Sequence, residues 1–299
     1  MDILVVGSVA LDSIQTPLGK KEDILGGSAV YFSYSASFFT KVKFVGTVGQ
    51  DFPAGYLNIL KKRPICLKGL QQVKGKTFRW KGRYEDDLNC AETLSTQLNV
   101  FSEFNPVLPA EYKKAKCVFM GNIDPQIQLN VLKQVDSPEV IALDTMNFWI
   151  ESKKKELLKV LKKTNIFIIN DGEARQLSGE TNLLKAAFGI LKMGPRVVVI
   201  KKGEHGSLLI DKFGAFAVPA YPLKSVYDPT GAGDTFAGGF LGHLARSKKI
   251  TKNTLRQAVV YGGIMASFNV ESFSLNRLRR LTKQDINNRY REFKKITNF

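Results

Sequence analysis

The chain has 299 residues, 44% of them hydrophobic, enough for one large domain with a full core. No apolar run reaches the roughly 18 residues that span a bilayer, nothing at the start resembles a secretion signal, and three scattered cysteines (Cys66, Cys90, Cys117) with two distant histidines (His205, His243) form neither a disulfide framework nor a zinc spacing, so a reduced, cytoplasmic setting is expected. The net charge of +17, from 44 basic and 27 acidic residues, is spread over short clusters with no RNA-binding aromatic motif or basic arm, which favours a solvated lysine-rich surface over a nucleic-acid partner.

In chain order, "ILVVG" reads as a buried strand, "SAVYFSYSASFF" as a helix and "VKFVG" as a second strand. Residues 74–100 break this rhythm. In "TFRWKGRY", Thr77, Arg79, Lys81 and Arg83 point one way, and Phe78, Trp80 and Tyr84 the other. The pattern predicts a small β flap formed mainly by about residues 68–100, with a short segment near 12–24. "GKT" at 75–77 invites a phosphate-loop reading. It fails, because the upstream glycine (Gly69) is too far away and a strand follows where a helix is needed.

Beyond the flap, strands "KCVFM", "EVIALD", "NIFIIN" and "RVVVIK" alternate with helical segments at 125–135, 152–163, 173–177 and 182–193. "GSLLI" and "AFAVPA" form a β-pair, and helices are predicted over 232–246, 252–269 and 282–295. Short apolar runs alternating with amphipathic helices predict an α/β fold, with a central mostly parallel sheet flanked by helices and a small β-sheet lid. Residues 1–299 read as a single domain.

"DPTGAGDTFAGGF" (228–240) carries the chemistry. Glycines let main-chain N–H groups converge without Cβ obstruction, and a helix start leaves about four N–H groups unpaired at a partly positive end. Gly231, Ala232, Gly233 and Asp234 at such a start make an anion hole with a positioned carboxylate. The helix end is expected to keep Asp234 ionised, making it a weak base that acts by position.

This segment resembles the C-terminal signature of the ribokinase-like (PfkB) carbohydrate kinases, and the similarity extends in order along nearly the whole chain. "VVGSVALD" resembles the family's first strand, ending in the substrate-binding aspartate, Asp12. "LGGSAVYFS" resembles the paired-glycine segment, with Gly26 and Gly27 beside the substrate. "VGTVGQDFPAG" resembles a G-x-D-x-x-x-G stretch at Gly49, Asp51 and Gly55. "NDGE" resembles N-x-x-E, with Asn170 and Glu173 organising magnesium and phosphate, Glu173 through water in one reading. "KKGEHG" resembles the nucleotide-side turn, with Lys201 and Gly203.

The resemblance implies ATP-dependent phosphorylation of a hydroxyl on a sugar, nucleoside or related polyol, with Mg2+ bridging the phosphates. Asp234 takes the proton, the amides of Ala232, Gly233 and Asp234 receive the phosphoryl charge, and Thr230, Gly231 and Gly233 line the phosphate site. Asp228 matches a position that holds a monovalent cation such as K+ in some members; it is equally a turn-opening residue before Pro229.

Three departures leave readings open. Tyr31 stands where the family's substrate-binding asparagine is usual, as a substrate contact or a core tyrosine. Asn122 replaces an acid or other polar group after "CVFMG". Arg79 and Arg83 either grip a second phosphate, as in sugar-phosphate kinases, or protect an edge strand by charge. The flap's aromatic face covers the site or pairs two copies in a homodimer. Asp144 and Asn147 are further site candidates, with Phe148 and Trp149 read as packing. A nucleic-acid-binding protein on an inactive kinase scaffold is the alternative from another class.

Overall fold

The computed structural model describes residues 1–247 and 249–298. Its strands are β1 (Ile3–Val6), β2 (Ala10–Thr16), β3 (Gly19–Gly26), β4 (Val42–Gly49), β5 (Ile65–Val73), β6 (Phe78–Tyr84), β7 (Ala91–Gln97), β8 (Cys117–Met120), β9 (Val140–Leu143), β10 (Ile166–Asn170), β11 (Val197–Lys201), β12 (Ser207–Asp211) and β13 (Gly214–Val218). Nine of them form one sheet in the order β13-β12-β11-β10-β9-β8-β1-β4-β5. All its pairings are parallel except those of β12 and β13 at one edge.

The parallel strands are buried on both faces, and alternation decides which core each side chain joins. Ile3, Val5 and Phe119 enter one layer, beneath α1 (Ser28–Ala36), α2 (Ala54–Lys61), α9 (Ala232–Arg246), α10 (Lys252–Asn269) and α11 (Lys283–Ile296). Leu4, Val6 and Met120 enter the other. There they meet α3 (Ala110–Lys113), α4 (Pro125–Leu132), α5 (Asn147–Ser152), α6 (Lys154–Leu161), α7 (Asp171–Ser178) and α8 (Leu183–Leu191). The predicted 152–163 helix is interrupted at Lys153, whose backbone leaves the helical region (φ −136°, ψ 36°). Asn147–Trp149, read as loop, open α5.

A second sheet, β3-β2-β6-β7, is the lid. Two expectations change here. Residues 68–73 belong to β5 and pair with β4, so the inserted lid piece is shorter than 68–100. Asp12 does not end the first strand: after β1 the chain passes through Gly7–Val9 and enters the lid as β2, which carries Asp12. The "GKT" segment is the lid's root. Asp51 Oδ1 accepts from Thr77 N and Thr77 Oγ1, each at 2.7 Å, and a Cβ on Gly49 would stand 2.3 Å from Gly75 O. Ile14, Tyr84 and Phe273, with Ile24, Trp80 and Leu88 against them, make a small core between lid and main body.

Candidate active site

The parallel strands converge on one cleft at their carboxyl ends, where ligands of open α/β sheets bind. Asp144 follows β9, Asn170 ends β10 and Lys201 ends β11. Three helices open toward this cleft, and two of them have partners for donors at their starts. At α1, Ser28 N donates to Ser8 Oγ and Ala29 N to Ser8 O. At α7 a capping box is complete: Glu173 N donates to Asn170 Oδ1 (2.7 Å) and Asn170 N to Glu173 Oε2 (3.0 Å).

The third, α9, has no side-chain cap. Its N-cap is Gly231 at φ 72°, the left-handed region that glycine enters freely. A Cβ there would stand 2.3 Å from the Tyr31 ring. Ala232 N donates to Pro229 O, so one of the three expected amides is already engaged. The N–H groups of Gly231, Gly233 and Asp234 find no acceptor among the described residues. The last two are the usual unpaired donors of a helix start, and Thr230 O just before the cap accepts from Asn269 Nδ2 at 2.9 Å. Asn269 also meets Thr235 Oγ1 through its Oδ1 (3.2 Å). No motif marked Asn269, which reaches this loop from the far end of α10.

The carboxylate at this mouth is more basic than its position predicts. Burial, reinforced by Asp144 and opposed by Lys201, pushes Asp234 up to about 7. Desolvation outweighs the helix end, so the expected weak base is a base matched to neutral pH. Residues 231–234 remain partly exposed to the cleft. The Lys201 ammonium sits 3.0 Å from Asp144 Oδ2 and 2.8 Å from where a Gly233 Cβ would lie. Burial disfavours its charge, but Asp144, Glu173 and Asp234 prevail and its pKa is raised. Glu173 is lifted to about 7, by burial first and Asp144 second, and its Oε1 is uncommitted.

On the lid side of the mouth, Asp12 is buried and accepts from the Gly27 N–H. Burial, then Asp228 and Asp234, raise it to about 8. Gly26 makes room for it: a Cβ there would stand 1.8 Å from Asp12 Oδ2. Gly27, at φ 98°, turns the chain from β3 into α1. Tyr31 is 1% exposed, and its hydroxyl is buried with no partner while facing the field of Asp228, Asp12, Tyr84 and Asp234. It is therefore a core tyrosine packed under Gly231 whose hydroxyl is left unpaired. Tyr84 reaches from the lid to Thr230 Oγ1 at 3.2 Å.

Other candidates fall elsewhere. Asp12 and Trp80 are register partners across the parallel β2–β6 pair and share a face; Arg79 and Arg83 alternate to the other face. Arg79 binds Asp23 and Asp51, and Arg83 binds Glu92 and Glu85. Arg79 and Arg83 are thus paired with acids on the side away from Asp12. Asn122 Oδ1 accepts the Trp149 indole N–H at 2.9 Å, so Trp149 is more than packing. Asp228 is fully buried, its oxygens accepting from Thr230 N (2.9 Å) and Ser274 N (3.1 Å); it ties the 228–231 loop to the segment after α10.

A sheet cleft that joins an uncapped glycine-rich helix mouth to a basic carboxylate and a buried lysine defines a phosphotransferase acting on a small-molecule alcohol. The chain matches the pfkB family of carbohydrate kinases over residues 22–278, and it belongs to that family. It is 31% identical to a cytidine kinase of Thermococcus kodakarensis over 257 residues, covering 84% of this chain and 91% of that one. It is 25% identical to a nucleoside kinase of Methanocaldococcus jannaschii over 90% of each chain. The crystal structure of the M. jannaschii nucleoside kinase, described as an archaeal member of the ribokinase family, superposes with a TM-score of 0.78, covering 97% of this chain and 98% of that one. The fold is therefore ribokinase-like, and the protein is an ATP-dependent kinase of a sugar, nucleoside or related polyol.

Proposed function

We propose that the acceptor is an uncharged nucleoside, phosphorylated on a ribose hydroxyl. One observation carries this reading: the acceptor end of the cleft holds Asp12, Asp228 and Asp234, while Arg79 and Arg83, the cations that would grip a phosphorylated sugar, are paired on the opposite face of the lid. An anionic acceptor would add charge beside Asp12, already pushed up by Asp228 and Asp234, with neither Arg79 nor Arg83 to offset it. A hydroxyl-rich ribose meets acceptors for its O–H groups and the unsatisfied Tyr31 hydroxyl. Relatives that are cytidine and nucleoside kinases support the same class.

In this reading Asp12 orients the ribose and Asp234 receives the proton of the attacking hydroxyl. The free amides of Gly231, Gly233 and Asp234, with the Lys201 ammonium, take up charge on the transferring phosphoryl group. Thr230 holds the loop in register. Among the described residues no cluster of three acidic, histidine or cysteine side chains forms a cage for a metal ion. That fits Mg2+, which binds mainly through phosphates and water with one or two carboxylates. Glu173, with one free oxygen beside the α7 mouth, is the residue that would hold it through water. Magnesium would there neutralise phosphate charge. Asp228 is assigned to the loop clamp rather than to K+, since its oxygens already serve amide donors.

The test is ATP-dependent phosphotransfer across cytidine, uridine, adenosine, inosine, ribose and ribose 5-phosphate. Turnover of one or more nucleosides above the two sugars is expected. Preferred turnover of ribose 5-phosphate would overturn the charge argument, and preferred turnover of ribose would overturn the nucleoside assignment.

A further inference from the structure

Lys201 ends β11 at the phosphoryl end of the cleft. Its backbone is fixed: it pairs with Asn170 on one side and Ser207 on the other, and the turn beyond it closes through Lys202 N to Gly206 O at 2.8 Å, with Gly203 at φ 53°. The side chain is not fixed by that, because an ammonium on a four-carbon stem has three donors and many rotamers. It crosses the end of β10, the strand between β11 and β9, and reaches Asp144 Oδ2 at 3.0 Å. Among the described residues this is its only hydrogen bond and its only ion pair. The pair is shielded, with 17% of the Lys201 side chain and 6% of the Asp144 side chain exposed.

Asp144 is braced for this contact. Its N donates to Met120 O at 2.9 Å, its Oδ1 accepts from Thr145 N at 2.8 Å, and its O accepts from Gln128 Nε2 at a longer 3.4 Å. Gln128 is 1% exposed and also donates from Nε2 to Gly121 O at 2.9 Å, so it ties the ends of β8 and β9 together. The lysine has other carboxylates within its field, Glu173 and Asp234, and Coulomb attraction alone does not choose among the three. An ammonium that moved to Asp234 would engage the base, and one that moved to Glu173 would engage its uncommitted oxygen. Either shift would take it away from Gly233, where it now lies 2.8 Å from the position of a Cβ, beside a free N–H of the anion hole. We propose that Asp144 is a positioning residue: it holds the Lys201 ammonium over Gly233, where the transferring phosphoryl group arrives, and withholds it from Asp234. The inference rests on the reading of Asp234 as base and of the α9 mouth as the phosphoryl site.

The experiment is a double-mutant cycle in steady-state kinetics, with ATP, Mg2+ and the best-used nucleoside. Lys201→Met removes the ammonium and should lower kcat by about 10²- to 10³-fold. Asp144→Asn keeps an acceptor for Thr145 N but misplaces the ammonium, and should lower kcat by about 10- to 10²-fold, with the KM for the nucleoside within about twofold of wild type. In the double variant, Asp144→Asn should add less than about twofold to the loss from Lys201→Met, since it acts only through the ammonium. The fold is read separately. Asp144→Asn leaves a shielded ammonium unpaired and should lower the thermal midpoint, and the double variant, with both charges gone, should recover part of that loss. Asp144→Glu keeps the charge on a longer stem and supplies the same cycle where Asp144→Asn does not fold; its loss too should vanish in the Lys201→Met background. A factor for the Asp144 substitution that is the same with and without the ammonium overturns the proposal, as does wild-type kcat in Asp144→Asn. Wild-type kcat in Lys201→Met removes the phosphoryl role of Lys201, and the inference with it, while Asp234 as base stands or falls by Asp234→Asn.

Discussion

Two helix mouths face the same cleft, and they spend their donors in opposite ways. At α7, Asn170 and Glu173 satisfy each other's main chain, so two of the donors at that end are paired before any ligand arrives. At α9 the cap is a glycine with nothing to offer, and the N–H groups of Gly233 and Asp234 are left without acceptors among the described residues. The first arrangement stabilises a fold. The second leaves donors unmet, a cost that is recovered when an anion fills the hole. The contrast separates a mouth that positions side chains from one that binds charge through its backbone.

The largest break in that contrast is expected at Asp234. Asp234→Asn keeps shape and removes the base, and should lower kcat by about 10²- to 10⁴-fold with circular dichroism unchanged. In the wild type, kcat/KM should fall on the acid side of about pH 7 as Asp234 gains its proton, because only the carboxylate accepts one. A log kcat/KM profile flat from pH 5 to 8 would argue against this base. Next comes Gly231→Ala, which forces a Cβ into the Tyr31 ring at a left-handed φ. If the anion hole collapses, kcat should drop by about 10²- to 10³-fold, the usual cost of a lost oxyanion donor. Asn269→Ala removes the hydrogen bond that fixes Thr230 O and with it the 228–231 loop. One lost positioning hydrogen bond of about 1–1.5 kcal/mol predicts roughly a tenfold loss in kcat/KM.

How much of this was legible follows the distance between interacting residues. Gly231–Asp234 could be read because glycines, carboxylate and helix start are contiguous, and the sheet could be read because buried parallel strands are apolar throughout. Alternation in β6 correctly separated the arginines from the aromatics. It could not say which face meets the cleft; that depends on the parallel pairing with β2, which places Trp80 beside Asp12. The basicity of Asp234 was missed because its causes, burial and Asp144, come from the assembled fold. Asn269 was missed because the loop it bonds is remote in sequence.

The acids of the cleft also tax the unliganded protein. Asp12 rises from 3.8 to about 8, and Asp234 and Glu173 to about 7, so the native state holds more protons than the unfolded chain across that range. Stability from these groups is complete below about pH 4 and is lost as pH climbs to about 8. The melting temperature of the ligand-free protein should therefore fall by at least a few degrees from pH 5.5 to 8. A midpoint that rises over that interval would contradict the raised values.

The smallest effect should come from the closed mouth. Asn170→Ala deletes the side-chain oxygen that receives Glu173 N, while the reciprocal bond from its main chain to Glu173 Oε2 survives. A lost N-cap costs about 1 kcal/mol, so the denaturation midpoint should drop by about 2–4 °C in a chain of this size. Glu173 keeps its place through the remaining bond, so kcat should change by far less than in Gly231→Ala, with the loss confined to the KM for ATP. If Asn170→Ala matched Gly231→Ala in kcat while retaining its fold, the α7 end would be contributing to the transition state, and the division between a mouth that braces and a mouth that binds would fail.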